Sequence, residues 1–299
     1  TLRSYNYKSE DSTSTNDVSK TRGGFIEFGS NFDSNPTSIK QLKLSAHLTP
    51  DRIFLTSDAN LIICAPWSQG FDLIDLKINK KWSPDESIAH AAVVTDIACE
   101  GNYVVTCAED SSLYVWDLHS KKKLTTIVAH IDQIIHVAVS NELEVVVSCD
   151  RNGELLFSSM RTGKFIIKKH FGLNEMTSYP MKIMISTLGF VVLIFDSFED
   201  ENSHSTYIHL IDMGGRLLNQ VKLEGKMTSS ILMQNQDRSS YLVVAQETKL
   251  VYVMRIFDLM IVSMGPVNGI VKDMCYSKDD LSLFMLTENN ELLLTNFNI

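Results

Sequence analysis

Two stretches of this 299-residue chain repeat each other forty residues apart. The first, AHAAVVTDIACEGNYVVTCAEDSSLYVWDLHSKKKLTTIV, begins at Ala89, and the second, AHIDQIIHVAVSNELEVVVSCDRNGELLFSSMRTGKFIIK, begins at Ala129, so His90 and His130 hold the same place. Each divides into four short runs of β-branched and aromatic residues, separated by turn signals such as EGN, EDSS, HSKK and RNG. A unit that cannot bury both of its faces must stack on copies of itself. Four strands at this period, with a Trp-Asp pair (Trp116-Asp117) closing the third, describe the blade of a β-propeller.

Looser copies follow the same pattern. RIFLTS, LIICAPW and FDLIDL lie upstream; KIMIS, GFVVLIF, TYIHLIDM and RLLNQVKL, then SSILMQ, YLVVAQ, LVYVMRIF and MIVSMG, then VKDMCYS, SLFMLTE and ELLLTNF lie downstream. The expected fold is therefore all-β, a WD40-type propeller of seven blades with a degenerate or incomplete N-terminal blade. Residues 39–299 form it. Residues 1–38, rich in Ser, Thr, Asn and Asp, offer too little apolar surface to order fully and read as a polar, partly disordered segment. The last unit has only three strands, which would leave an open sheet edge, and an N-terminal strand, GFIEFG or IKQLKLS, is expected to close it. The chain starts at Thr1 without Met or a signal pattern, as expected of a piece of a longer protein.

Composition removes several classes of function. A net charge of −9 argues against nucleic acid, whose phosphates call for clustered Lys and Arg, and against a polybasic membrane anchor. The five cysteines, Cys64, Cys99, Cys107, Cys149 and Cys275, never fall as Cys-x-x-Cys, so neither a disulfide framework nor a zinc site is indicated. The most apolar stretch, IMISTLGFVVLIF, is too short to span a bilayer as a helix and is interrupted at Gly189, so it reads as two strands.

In the Trp-Asp repeat, His90, Thr106, Asp110 and Trp116 stand where a hydrogen-bonded set can tie one blade together. A buried carboxylate needs donors, which an imidazole and turn N–H groups supply while Thr106 orients the ring. The next repeat keeps His130 and Ser148, with Asn152 at the Asp place and Ser158 at the Trp place, a partial set. These are structural roles: no catalytic, metal or cofactor residue is assigned, and no cofactor is expected.

Other motifs carry bland readings. His130 and Asp132 lack further ligands at metal-binding spacing. MGGR (213–216) has the glycines of a phosphate loop without its Lys and helix, and reads as a hairpin turn. FEDENSH (198–204) reads as a solvated acidic loop, and Trp67 and Trp82 as packing between blades.

The second repeat resembles the C-terminal WD repeats of BEACH-domain, neurobeachin-like proteins. It is similar in its His-x-x-x-Val/Ile opening, in Glu-Leu before the second strand, and in a Ser-Gly-Ser-x-Asp-Gly turn followed by a strand without Trp-Asp. TSDANLIICAPWSQGFDLIDL and GFVVLIF leading to IHLIDMGGRLL resemble further segments of that family, in the same order. Cys107 and Cys149 in place of Gly, Asn152 in place of Asp, and Ala65-Pro66 with Ser68 in the Trp segment mark a divergent member.

The resemblance implies a non-catalytic scaffold acting in vesicle and membrane trafficking, endosomal, lysosomal or autophagic. Partners would be other proteins or peptide motifs at the loop faces, with BEACH and pleckstrin-like domains preceding the propeller in the full-length chain. Localisation would be cytoplasmic and at most peripheral on vesicle membranes. An unrelated WD40 adaptor, such as a ubiquitin-ligase substrate receptor or coat subunit, is the alternative, and a propeller enzyme the remote one.

Overall fold

A computed structural model of the chain describes residues 3–5, 25–29, 39–43, 52–55, 60–64, 70–75, 80–85, 88–128, 130–171, 178–200, 203–234, 240–277 and 282–296. All regular structure among them is β, arranged as six antiparallel four-stranded sheets and one two-stranded sheet. Blade one is built from Arg52–Leu55, Asn60–Cys64, Phe71–Asp75 and Lys80–Trp82, and blade two from Val94–Glu100, Tyr103–Ala108, Ser112–Asp117 and Lys122–Val128. Blade three comprises Ile134–Ser140, Val145–Asp150, Glu154–Ser159 and Phe165–His170, and blade four Ser178–Ile185, Phe190–Asp200, Ser203–Asp212 and Leu217–Glu224. Blade five comprises Met227–Gln234, Ser240–Gln246, Leu250–Arg255 and Ile261–Pro266.

Blade six has three consecutive strands, Val271–Ser277, Ser282–Thr287 and Leu292–Asn296, and takes its fourth from the other end of the chain. That strand is Arg3–Tyr5, which pairs antiparallel with Leu292–Leu294. The two segments expected to close the ring, Phe25–Gly29 and Ile39–Lys43, pair with each other instead, as a two-stranded seventh sheet between Arg3–Tyr5 and blade one in chain order.

The continuous runs of β-branched residues follow from burial on both faces of a sheet. In Val145–Asp150 all six residues are buried. Successive side chains point to opposite faces, so Val146 joins the cluster shared with blade two, while Val145, Val147 and Cys149 join the one shared with blade four. Val191, Leu193 and Phe195 likewise face blade three, and Val192 and Ile194 face blade five. Five apolar clusters result, one at each junction from blade one to blade six. The first strand of each of blades one to five contributes to the wall of a central cavity of about 340 Å³, lined by Phe54, Asp96, Val137, Lys182 and Ile231 among others.

At the rim, the turn before a fourth strand rests on the outer strand of the preceding blade. Thr125 Oγ1 donates to Arg161 O at 3.2 Å, and Asn219 Nδ2 to Asp258 O at 2.6 Å. Gly163 sits in such a turn with φ +68°, and a Cβ there would lie 2.5 Å from Thr125 Cγ2 and 3.1 Å from Thr126 O. Both the left-handed backbone and the missing side chain are required. Gly163→Ala is expected to cost roughly 1–3 kcal/mol, read as a lower urea midpoint; an unchanged midpoint would mean that the two blades separate freely at this point.

Candidate functional site

The polar side chains of blade two form a chain of hydrogen bonds. Trp116 Nε1 donates to Thr106 Oγ1 at 3.0 Å, Thr106 Oγ1 lies 2.7 Å from His90 Nε2, and His90 Nδ1 lies 3.0 Å from Ser112 Oγ. Ser112 Oγ then donates to Asp110 Oδ1 at 2.5 Å. A carboxylate only accepts, so the Ser112 hydroxyl proton goes to Asp110 and its oxygen accepts from His90 Nδ1–H. Burial holds the His90 ring neutral, its pKa pulled down to about 4 despite the nearby Asp110. The remaining nitrogen, Nε2, is therefore bare and accepts from the Thr106 hydroxyl. Thr106, His90 and Ser112 each donate once and accept once along this chain, which starts at the Trp116 donor and ends at the Asp110 acceptor, and the His90 ring is also stacked on Tyr114 at 3.9 Å.

The structure thus brings His90, Thr106 and Trp116 together, and corrects the place of Asp110. That carboxylate stands in an exposed turn rather than in the core, and its Oδ1 is 3.9 Å from His90 Nδ1, with Ser112 as the bridge. Ser112 went unremarked in the sequence, although a hydroxyl two residues after the turn Asp is the group able to fill that gap.

The folded His90 ring takes a proton only near pH 4, whereas in the unfolded chain it does so near its ordinary 6.5. Between those values the unfolded state binds more protons, so His90's contribution is complete above 6.5 and is lost as pH falls toward 4. The loss amounts to roughly 3 kcal/mol. Urea midpoints measured from pH 7 to 4.5 should fall more steeply for the native chain than for His90→Gln; parallel profiles would show that His90 is not the group titrating.

In blade three His130 Nε2 meets Ser148 Oγ at 2.7 Å, and His130 Nδ1 meets Asp150 Oδ2 at 3.3 Å. Asp150, not Asn152, is the acidic partner. On a strand, residues two apart share a face, which puts Ser148 and Asp150 together against the ring, while Asn152 in the turn sends its Nδ2 to Asp132 Oδ2 at 2.8 Å. Asp150 Oδ1 also accepts from the backbone N–H groups of Asn152 and Glu154. Burial raises the Asp150 pKa, but the His130 bond and these N–H groups outweigh it and hold the carboxyl below its ordinary value. Ser158, at the Trp place, is buried.

His130, Asp150 and Glu154 offer three ligand atoms within 4.8 Å of one another. That set differs from the His130 and Asp132 pair weighed in the sequence, since Asp132 is engaged with Asn152 and the Gln133 N–H. The Lys168 ammonium sits 2.6 Å from Glu154 Oε1 and supplies positive charge to the cluster. The arrangement works as a salt-bridged tie between the second, third and fourth strands of the blade.

A third polar group joins blades. Asp96 in blade two is buried, and its Oδ2 accepts from the Val137 N–H of blade three at 3.1 Å and lies 3.3 Å from His136 Nδ1. His136 Nε2 in turn lies 3.1 Å from Pro180 O in blade four.

The remaining motifs are placed as follows. MGGR forms the turn after Ser203–Asp212, with Gly215 at φ +70° and its N–H bonded to Asp212 O. FEDENSH is a correction: Phe198 pairs with His204, and Asp200 with Ser203, so the acidic stretch largely continues the long strands of blade four instead of forming a loop. Trp82 packs edge-to-face on Phe71 at 5.9 Å, and Phe71 on Trp116 at 5.6 Å, across the first blade junction. Trp67 lies outside the described residues. Among the described residues, no helix is long and apolar enough to cross a membrane.

Comparison with solved structures settles what the sheets make. The chain is similar to BBS1N, a β-propeller whose crystal structure is of its complex with ARL6DN, at a TM-score of 0.67 and 16% identity over 88% of this chain and 82% of that one. The fold is a β-propeller. The propeller is also similar to the computationally designed Ika8 protein, at a TM-score of 0.61 and 15% identity over 82% of this chain and 70% of that one. No family model matches the propeller sequence.

Proposed function

We propose that this propeller is a non-catalytic platform for binding other proteins, and that it serves a BEACH-type trafficking protein at vesicle membranes on the cytoplasmic side. The observation that supports a platform is the use made of the buried polar groups. The His90 chain, the His130 cluster and the Asp96 tie all spend their donors and acceptors on holding strands and blades in place. BBS1N, a propeller of similar shape, has been crystallised with another protein. The trafficking part rests on the resemblance of the blade-three sequence to BEACH-protein WD repeats.

The test is proximity labelling in cells from the full-length protein, with the upstream reading frame determined alongside. Labelling of vesicle-membrane proteins, with a BEACH-like segment encoded upstream of Thr1, is the expected result. Coat or ubiquitin-ligase partners and no such segment would move the propeller to the unrelated-adaptor class. Turnover of a small molecule by the purified protein would overturn the platform reading altogether.

A further inference from the structure

An outermost strand exposes a row of unpaired N–H and C=O groups, and proteins commonly guard it with charged side chains, Lys above all. Five of the six four-stranded sheets follow this practice: the outer strands of blades one, two, three, four and six each carry Lys or Arg. The outer strand of blade five, Ile261–Pro266, reads IVSMGP and carries no charge. Among the described residues it stands last in its sheet, bonded on one side only, to Leu250–Arg255. Ile261, Val262 and Met264 are 42, 49 and 58% exposed, and the preceding Met260 is 54% exposed.

Beside this strand, at the junction with blade six, lies an apolar cavity of about 140 Å³ lined by Val251, Val253, Gly265, Leu283 and Met285. A void of that size takes a benzene-sized group. Among the described residues nothing lies within 4 Å of where a Gly265 Cβ would be, so the cavity is open along that part of its wall. Thr295 shares the cavity wall, and its buried hydroxyl oxygen has no hydrogen-bond partner among the described residues.

We propose that the Ile261–Pro266 edge of blade five takes an extended, uncharged peptide segment of another protein as a fifth strand, with one apolar side chain entering the cavity against blade six. The proposal rests on the reading of the propeller as a platform, and names the surface and the kind of partner. Charge selects the segment: an ionised residue opposite IVSMGP would lose water and gain no counter-charge. Area selects a segment over a second copy. Four half-exposed side chains offer on the order of 400 Å², about half of the ~800 Å² per partner in a stable interface between folded proteins. A strand can make up the difference with main-chain hydrogen bonds. Two copies would also bring together chains of net charge −9. Pro266 has no N–H to donate, which limits the paired segment to about five residues.

The test uses a fluorescent, end-blocked, uncharged peptide, Ser-Val-Thr-Leu-Thr-Val-Ser, and its counterpart N-methylated at alternate residues, titrated against the whole chain by anisotropy. Saturable binding of the first peptide only is expected, weakened at least tenfold by Val262→Lys and by Met264→Lys. Both variants should keep the native melting temperature, since other blades carry Lys at their outer strands. Amide exchange across residues 261–265 should slow when the peptide is bound. Absence of binding, or equal binding by both Lys variants, would overturn the proposal while leaving other surfaces of the platform open. Dimers in sedimentation that Val262→Lys abolishes would also overturn it, by making a second copy the occupant.

Discussion

Trp116→Ala is expected to lower the stability of the propeller by about 3–5 kcal/mol, a large part of the 5–15 kcal/mol typical of a folded domain. Trp116 is 2% exposed and stands in the cluster of Phe71, Leu73, Val94, Ile97 and Val104 that joins blades one and two. Truncation leaves a cavity at a junction where Phe71 packs edge-to-face on the lost ring. It also removes the N–H that Thr106 accepts. Trp116→Phe separates the two losses, because it keeps most of the volume and gives up the hydrogen bond, at roughly 1 kcal/mol. Denaturant midpoints of the two variants measure the difference. Equal losses would place the role of Trp116 in the hydrogen bond; no loss in either would remove it from the core.

Asp96→Ala is expected to cost about 3–5 kcal/mol, because it strips a buried carboxylate from a tie spanning three blades. The Val137 N–H and the His136 ring both lose their acceptor, and the bond of His136 to Pro180 O loses its support from the other side. A buried donor left without a partner is penalised by its full desolvation, which is why the effect should exceed that of any single hydrogen bond in the blade. Asp96→Asn keeps an acceptor oxygen and should lose less. The same urea series reads both, and a neutral Asp96→Ala would mean that water reaches Val137 N from the central cavity.

Much of the fold was legible because a propeller writes its period into the chain. Residues 89–170 carry two complete copies, and the both-face burial of inner strands produces uninterrupted runs such as VVVSC and FVVLIF that stand out between turn residues. The closing strand was not legible. Three residues, Arg3–Tyr5, have no period of their own and lie in a polar stretch, while GFIEFG has the better strand composition and finds its partner nearby in Ile39–Lys43. The polar sets were legible in part. Counting forward from Thr106 and Ser148 leads to Asp110 and Asn152, yet strand parity favours the residue two ahead, which is Asp150 in blade three and Ala108 in blade two. With no carboxylate at Ala108, blade two reaches Asp110 through Ser112; with one at Asp150, blade three needs no bridge. Asp96 and His136 could not be read at all, since their pairing depends on how neighbouring blades face each other.

The sixth sheet joins Arg3 to Leu294, residues about as far apart along the chain as any two that touch. On a ribosome the hairpins of blades one to five can form as each emerges, because their partners are local in sequence. This one cannot. Until residues 292–294 are made, Arg3–Tyr5 has no strand to pair with and the growing ring has a gap. The joint is also short, with three residue pairs, so it is the natural place for the native ring to open first under load or in amide exchange. Synthesis of residues 292–294 and closure of this sheet thus become a single event in the life of the protein.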